Sequence, residues 1–179
     1  MMKNWNPTVL LLLSVFLICS TSCTSQNKYS IDEYTFRMPA HFEIWPTNGD
    51  ENVLLALSDP TGISIMIQNK LNILKSTFFS HLNDEETLSS MHKMKFDSYV
   101  ESLNGYGTAP VEVRKIGEVL YSYQAFKYRE EEVELAYDLR IIKLKGDYYA
   151  FYSFDQASKA DQNKETIDHL IQSLSEENF

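Results

Sequence analysis

Four histidines, His41, His81, His92 and His169, are the first residues whose type could support chemistry, and they fall in four separate stretches of the chain. A zinc site announces itself by ligands at short, fixed spacing, and no His-x-x-x-His or His-Glu pairing occurs. The separate placement reads as surface or helix-face histidines, with His169 beside Asp168 at the polar edge of an amphipathic segment. The densest acidic run is Glu130, Glu131, Glu132 and Glu134. Calcium loops interleave Asp and Asn with a turn glycine, and a glycosidase pair needs carboxylates facing across a cleft, so the run is expected at a solvated hairpin tip. No Gly-x-Ser-x-Gly, P-loop or Gly-x-Gly-x-x-Gly is present, and Gly105-Tyr106-Gly107 follows a helical pattern where a dinucleotide fingerprint follows a strand. The expectation is a chain without catalytic residues, bound metal or cofactor.

Cysteine chemistry is confined to Cys19 and Cys23. Before them, Lys3 and the amino terminus make a short positive region, Val9 to Ile18 is apolar except for Ser14, and Ser20-Thr21-Ser22 offers small residues. This three-part pattern is that of a secretory signal, and the apolar run is shorter than the roughly 20 residues that span a bilayer. The segment resembles the lipobox of bacterial lipoproteins, in which a cysteine after small residues is acylated and becomes the first residue of the mature chain. The resemblance implies a leader over 1–22, lipid attachment at Cys23 and a polar tether over 23–30. The plainer reading is ordinary cleavage near Ser22, leaving Cys23 unmodified. In the resemblance's sorting scheme an acid directly after the cysteine retains a lipoprotein at the inner membrane; Thr24 is not an acid, which implies the outer membrane, facing the periplasm.

Removing the leader takes away Lys3 alone, so the 16 basic and 25 acidic side chains become 15 and 25, a net charge of −10. Phosphate recognition needs clustered Lys and Arg, so nucleic acid is excluded as a partner. Adsorption to anionic lipid needs a polybasic patch, so membrane attachment would have to be covalent.

The rest of the chain, 31–179, reads as one domain. Tyr34, Phe36 and Met38 alternate with polar neighbours as in a half-buried strand, ended by Pro39. Phe42 to Trp45 is extended, Val53 to Ser58 forms the next strand, and Asp59-Pro60-Thr61-Gly62 supplies turn chemistry before Ile63, Ile65 and Ile67. Residues 69–82 give no clear pattern. Asn83 with Glu86 makes a capping box, and Leu88, Met91, Phe96, Tyr99, Val100 and Leu103 form a helical stripe. Strands follow over Val111–Ile116, Val119–Tyr128, Val133–Ile141 and Tyr148–Phe154, and Ile167, Leu170, Ile171 and Leu174 mark a last helix. Short connections imply antiparallel pairing. The expected fold is α+β: an antiparallel sheet of about six strands, with two main helices packed on one face.

Aromatic residues crowd the C-terminal strands, and Tyr148 to Phe154 is aromatic on both faces. One face would meet the helices; Tyr149 and Phe151 are the candidates for a binding surface on the other. Trp45, between Ile44 and Pro46, reads as core or rim.

Met38-Pro39-Ala40-His41-Phe42, the hairpin, the long helix, the antiparallel run and the final helix together resemble the PsbP-like, DcrB-like superfamily over Tyr34 to Leu174. The resemblance implies an accessory or assembly protein with no catalytic residues to carry over. Three functions follow as expectations: a non-catalytic envelope lipoprotein binding a protein partner; a glycan or lipid binder using the aromatic sheet face; or an immunity-like inhibitor of an envelope-acting toxin.

Overall fold

The computed structural model describes residues 25–47, 49–60, 62–68, 71, 79 and 81–179. The expected leader over 1–22 and Cys23 lie outside the described residues, as does most of the patternless stretch before the first helix.

The chain begins with a hairpin of β1 (Gln26–Ile31) and β2 (Tyr34–Pro39), followed by β3 (Glu43–Ile44), β4 (Val53–Ser58) and β5 (Ser64–Gln68). Helix α1 (Asp84–Ser102) comes next, then β6 (Glu112–Ile116), β7 (Val119–Glu130), β8 (Val133–Leu144) and β9 (Asp147–Gln156). A single 3-10 turn at Ala157–Lys159 leads into α2 (Ala160–Asn178). The β1–β2 pair stands apart, and the other strands form a seven-stranded sheet in the order β3-β4-β5-β9-β8-β7-β6. Every pairing is antiparallel. The α+β class is therefore right, with seven strands and a separate hairpin in place of about six strands.

The two helices do not share a face. Alternate residues of a strand point to opposite sides, and β8 divides accordingly: Ile142 and Leu144 join the core beneath α2, whereas Tyr137, Leu139 and Ile141 join a second core beneath α1. In β9, Tyr149 and Phe151 go to the first core and Ala150 and Tyr152 to the second. The expectation of both helices on one face assumed a single apolar face per strand. These central strands are apolar on both faces, and leaving either one in water would cost about 25 cal/mol per Å² exposed.

The β1–β2 hairpin completes the cover on the α2 side. Ile31, Tyr34, Phe36 and Met38 are almost wholly buried against the sheet, the Tyr34 hydroxyl donates to the Leu144 carbonyl at 3.1 Å, and the Tyr149 hydroxyl donates to Asp32 Oδ2 at 2.8 Å. This revises the expected tether: Gln26 to Ser30 is strand, paired residue by residue with Thr35 to Pro39. The polar side chains of this stretch line the outside of a hairpin whose inward positions are Tyr29 and Ile31.

Helix α2 seals the free edge of β2 with side chains. Asn178 accepts from the Thr35 amide at 3.0 Å and donates to the Thr35 carbonyl at 2.8 Å, and Ser173 Oγ accepts from the Arg37 amide at 2.6 Å. Glu177 adds ion pairs with Lys28 at 2.9 Å and Arg37 at 2.8 Å. An exposed sheet edge invites pairing with other chains, and here helix side chains occupy it.

Helix α1 starts as its sequence requires: Asn83 Oδ1 accepts from the Glu86 amide at 2.9 Å, while Glu86 accepts from the Asn83 amide at 3.0 Å. Four hairpin turns carry positive φ at their first loop residue, at Asp32, Gly117, Glu131 and Lys145. Gly117 alone is also crowded from above, because a Cβ there would lie 2.9 Å from Ser175 Cβ on α2. Ser175 Oγ already accepts from the Glu118 amide at 2.8 Å, so it has little freedom to yield. Gly117→Ala is expected to destabilise the fold by about 2 kcal/mol or more, read as a lower urea midpoint at unchanged m-value.

Candidate functional site

The two aromatic residues proposed for a binding surface are in the core. Tyr149 is 0% and Phe151 2% exposed, beneath the hairpin and α2, so neither meets a ligand. The sequence shows aromatic residues on both faces of β9 but not that a hairpin from upstream covers one of them. Phe151→Ala is expected to cost about 3–5 kcal/mol in denaturant unfolding, as a core deletion does.

The histidines remain apart. His41 is exposed and pairs with Asp59 Oδ2 at 3.5 Å, and His169 lies exposed on α2. His92 is different from expectation: it is fully buried under α1, its Nδ1 within 2.8 Å of Ser122 Oγ on β7, with Nε2 making no hydrogen bond. Burial holds its pKa down at about 4. The neutral ring is thus the folded form, and the unfolded chain takes up the extra proton as pH falls below the ordinary value of about 6.5. Stability supplied by His92 is present above that value and is lost as pH falls towards 4. His92→Gln, which can keep a bond to Ser122, should flatten the stability profile between about pH 6.5 and 4, followed by urea midpoints against pH.

The acidic run sits where expected. Glu130 to Glu132 are exposed at the β7–β8 turn, and Glu134 accepts from the Tyr106 hydroxyl at 2.7 Å and from Lys127 at 2.9 Å. Those partners hold the Glu134 carboxyl below its ordinary value. Among the described residues no cluster of His, Cys, Asp and Glu has metal-binding geometry, and no helix is long and apolar enough to cross a membrane.

One charged cluster escaped the sequence reading. Arg140, on the face of β8 that alternation marks as polar, is 0% exposed. Its guanidinium pairs with Asp138 at 3.3 Å and with Asp168 of α2 at 2.5 Å, and donates to the Lys164 carbonyl at 3.2 Å. The rings of Tyr121 and Tyr123 lie beneath it at 5.7 and 5.2 Å. Burial pushes the Asp138 carboxyl up, with the guanidinium opposing that shift. Four of the guanidinium's five N–H groups bond to its own protein partners, and the cluster joins α2 to the sheet.

A site open to solvent lies on the other face, beyond the reach of α1. That helix packs over β6, β7 and β8. On the β4–β5–β9 half of the same face, Ala56, Met66 and Phe154 stay half-buried and floor a trough of about 200 Å³. Trp45, Pro46 and Val53 wall it. Trp45 is 50% exposed and its amide donates to the Ala56 carbonyl at 2.9 Å, which fixes its backbone against β4. Trp45 is thus a rim, one of the two roles its sequence context suggested. A mainly apolar trough with a half-exposed tryptophan, joined by Thr47, Asp50 and Ser64, has the composition of an interface anchor with a polar margin. A second, polar groove of about 410 Å³ runs between β2 and α2, past Arg37, Thr166, His169 and Glu177; Arg37 and Glu177 are already paired with each other.

The fold resembles solved structures. The solution structure of the cyanobacterial PsbP protein (CyanoP) from Synechocystis sp. PCC 6803 superposes with a TM-score of 0.60 at 16% identity, covering 86% of this chain and 94% of that one. A crystal structure of a protein from Bacteroides thetaiotaomicron VPI-5482 superposes with a TM-score of 0.52 at 13% identity, over 78% of this chain and 43% of that one. The fold is PsbP-like. No protein-family model and no curated protein matches the chain by sequence.

Proposed function

We propose that this PsbP-like chain is a non-catalytic envelope lipoprotein, anchored through Cys23 to the periplasmic side of the outer membrane, that binds a protein partner in an accessory or assembly role. The observation that carries the partner reading is the trough of Trp45, Val53, Ala56, Met66 and Phe154, an apolar surface that the domain's own helices leave uncovered. Its neighbours on the same sheet face are packed beneath α1. A trough of this depth suits an apolar side chain or two from another polypeptide better than a whole small ligand, which needs to be largely enclosed. The covered position of Tyr149 and Phe151 removes the surface on which the glycan or lipid reading stood.

The anchor rests on the leader pattern and on Cys23, and the PsbP-like fold supports the accessory role by likeness of architecture. A photo-crosslinking side chain placed at Met66 in intact cells should yield one discrete protein adduct. Val53→Glu should reduce that adduct about ten-fold or more, since charge at a desolvated anchor position costs a few kcal/mol, while leaving the urea midpoint nearly unchanged, because Val53 belongs to neither core. Absence of any adduct at Met66, with adducts from an exposed control position such as Met94, would remove the trough as the partner site.

A further inference from the structure

The lipid reading of Cys23 has a geometric consequence for the edge of the sheet. Only Thr24 separates Cys23 from Ser25, and two residue steps reach at most about 7 Å. Ser25 is held to the domain, its carbonyl accepting from the Ala40 amide at 2.9 Å. Three residues beyond Ala40 the chain enters the edge strand β3, with Ile44 66% and Trp45 50% exposed. The two project on opposite sides of the edge. Ile44 is paired with Leu57 and shares its face, whereas Trp45 follows it and lines the trough beside Ala56. A bilayer anchored at Cys23 is therefore held within about 30 Å of an edge flanked on both sides by apolar side chains.

We propose that this edge seats in the lipid–water interface, with Ile44 and Trp45 entering the headgroup region and the sheet standing edge-down on the membrane. The inference rests on the acyl anchor and adds a second contact to it. Tryptophan favours that interface because its ring is apolar and its indole N–H still finds water or headgroup oxygen. The contact is apolar rather than electrostatic: Glu43 and Asp50 are exposed beside it, and the mature chain has a net charge of −10. Seating is accordingly stronger on zwitterionic than on anionic lipid. It would also present the trough at the membrane surface.

Trp45 reports this directly, because the other tryptophan, Trp5, lies in the leader. The mature chain, from Cys23 to Phe179, is coupled through the Cys23 sulfur to maleimide lipid in phosphatidylcholine vesicles. This supplies the anchor whether or not the cell does. Trp45 emission should shift to the blue on coupling and fall about two-fold with brominated acyl chains, as expected of an interfacial indole. Adding phosphatidylglycerol should weaken both effects. Ile44→Glu should reduce the quenching, whereas Met66→Glu, inside the trough and away from the edge, should leave it. Unchanged emission on coupling, with undiminished quenching by aqueous acrylamide, overturns the seating. A shift that follows protein concentration without vesicles overturns it too, by assigning Trp45 to contact between two copies. Mass spectrometry of the native product tests the anchor separately: an unacylated Cys23 sulfur overturns that premise and not the fluorescence result.

Discussion

Apolar side chains on both sides of β8 and β9 set the constraint that arranges the remaining elements. Leu139 and Ile141 point one way and Ile142 and Leu144 the other, all essentially inaccessible to water. Each such side chain contributes about 1.5–3 kcal/mol only when fully covered, so a single layer of helices on one side would forfeit half of the stabilisation. The chain meets this with α1 on one side and α2 plus the β1–β2 hairpin on the other. The hairpin is contributed from the far end of the sequence, which makes Tyr29 to Met38 a condition of the C-terminal strands' stability rather than an appendage.

Within that arrangement Arg140 performs a task that an apolar residue could not. A buried charge without partners is costly, and removing one member of such a cluster typically costs about 3–5 kcal/mol. Asp138 on its own strand and Asp168 on α2 together neutralise the guanidinium, and two tyrosine rings lie against it. Apolar packing alone would tolerate α2 sliding along the sheet. A bond from Arg140 to Asp168 and another to the Lys164 carbonyl specify one position along the helix. That position also brings Ser173 and Asn178 onto the β2 edge and Ser175 over Gly117.

How much of this was legible in the sequence depended on whether a segment's partners were local. The Asn83–Glu86 box, the hairpin over residues 133–141 and its upstream strand, and the stripe of α2 are written in short-range spacing, and each appears as read. Gln26 to Ser30 reads as tether because Tyr29 is its only large apolar residue; what makes it a strand is β2, several residues ahead. Nothing in the spacing marks Arg140 as buried, since period-two alternation distinguishes the two faces of a strand but not whether a helix covers the polar one. The aromatic run of β9 misled for the same reason. Local spacing leaves Tyr149 and Phe151 on an open face because the element that closes it lies over a hundred residues upstream, where Asp32 receives the Tyr149 hydroxyl.

The trough beside Trp45 stays open because α1 is fixed elsewhere. At its start Asp84 pairs with Lys143 of β8. Midway His92 meets Ser122 of β7. Just past its end Tyr106 exchanges backbone bonds with Lys127, at 2.7 and 2.8 Å, and Gly105 lies so close to the Phe126 ring that a side chain there would strike it. These attachments lie on β7 and β8, and Lys95 adds a bond to Gln68 at the end of β5 at 3.2 Å and Tyr99 a ring contact with Tyr152 of β9, so the helix cannot shift towards β4 without breaking them. The other half of the face is correspondingly less demanding, with Ala56 and Ser64 beside Met66 and Phe154, and presents less apolar area than the strands under α1. An exposed apolar patch of this size is one that a folded domain can leave in water. The two halves of that sheet face therefore differ: the helix-covered half holds the fold together, and the other leaves the trough beside Trp45 open.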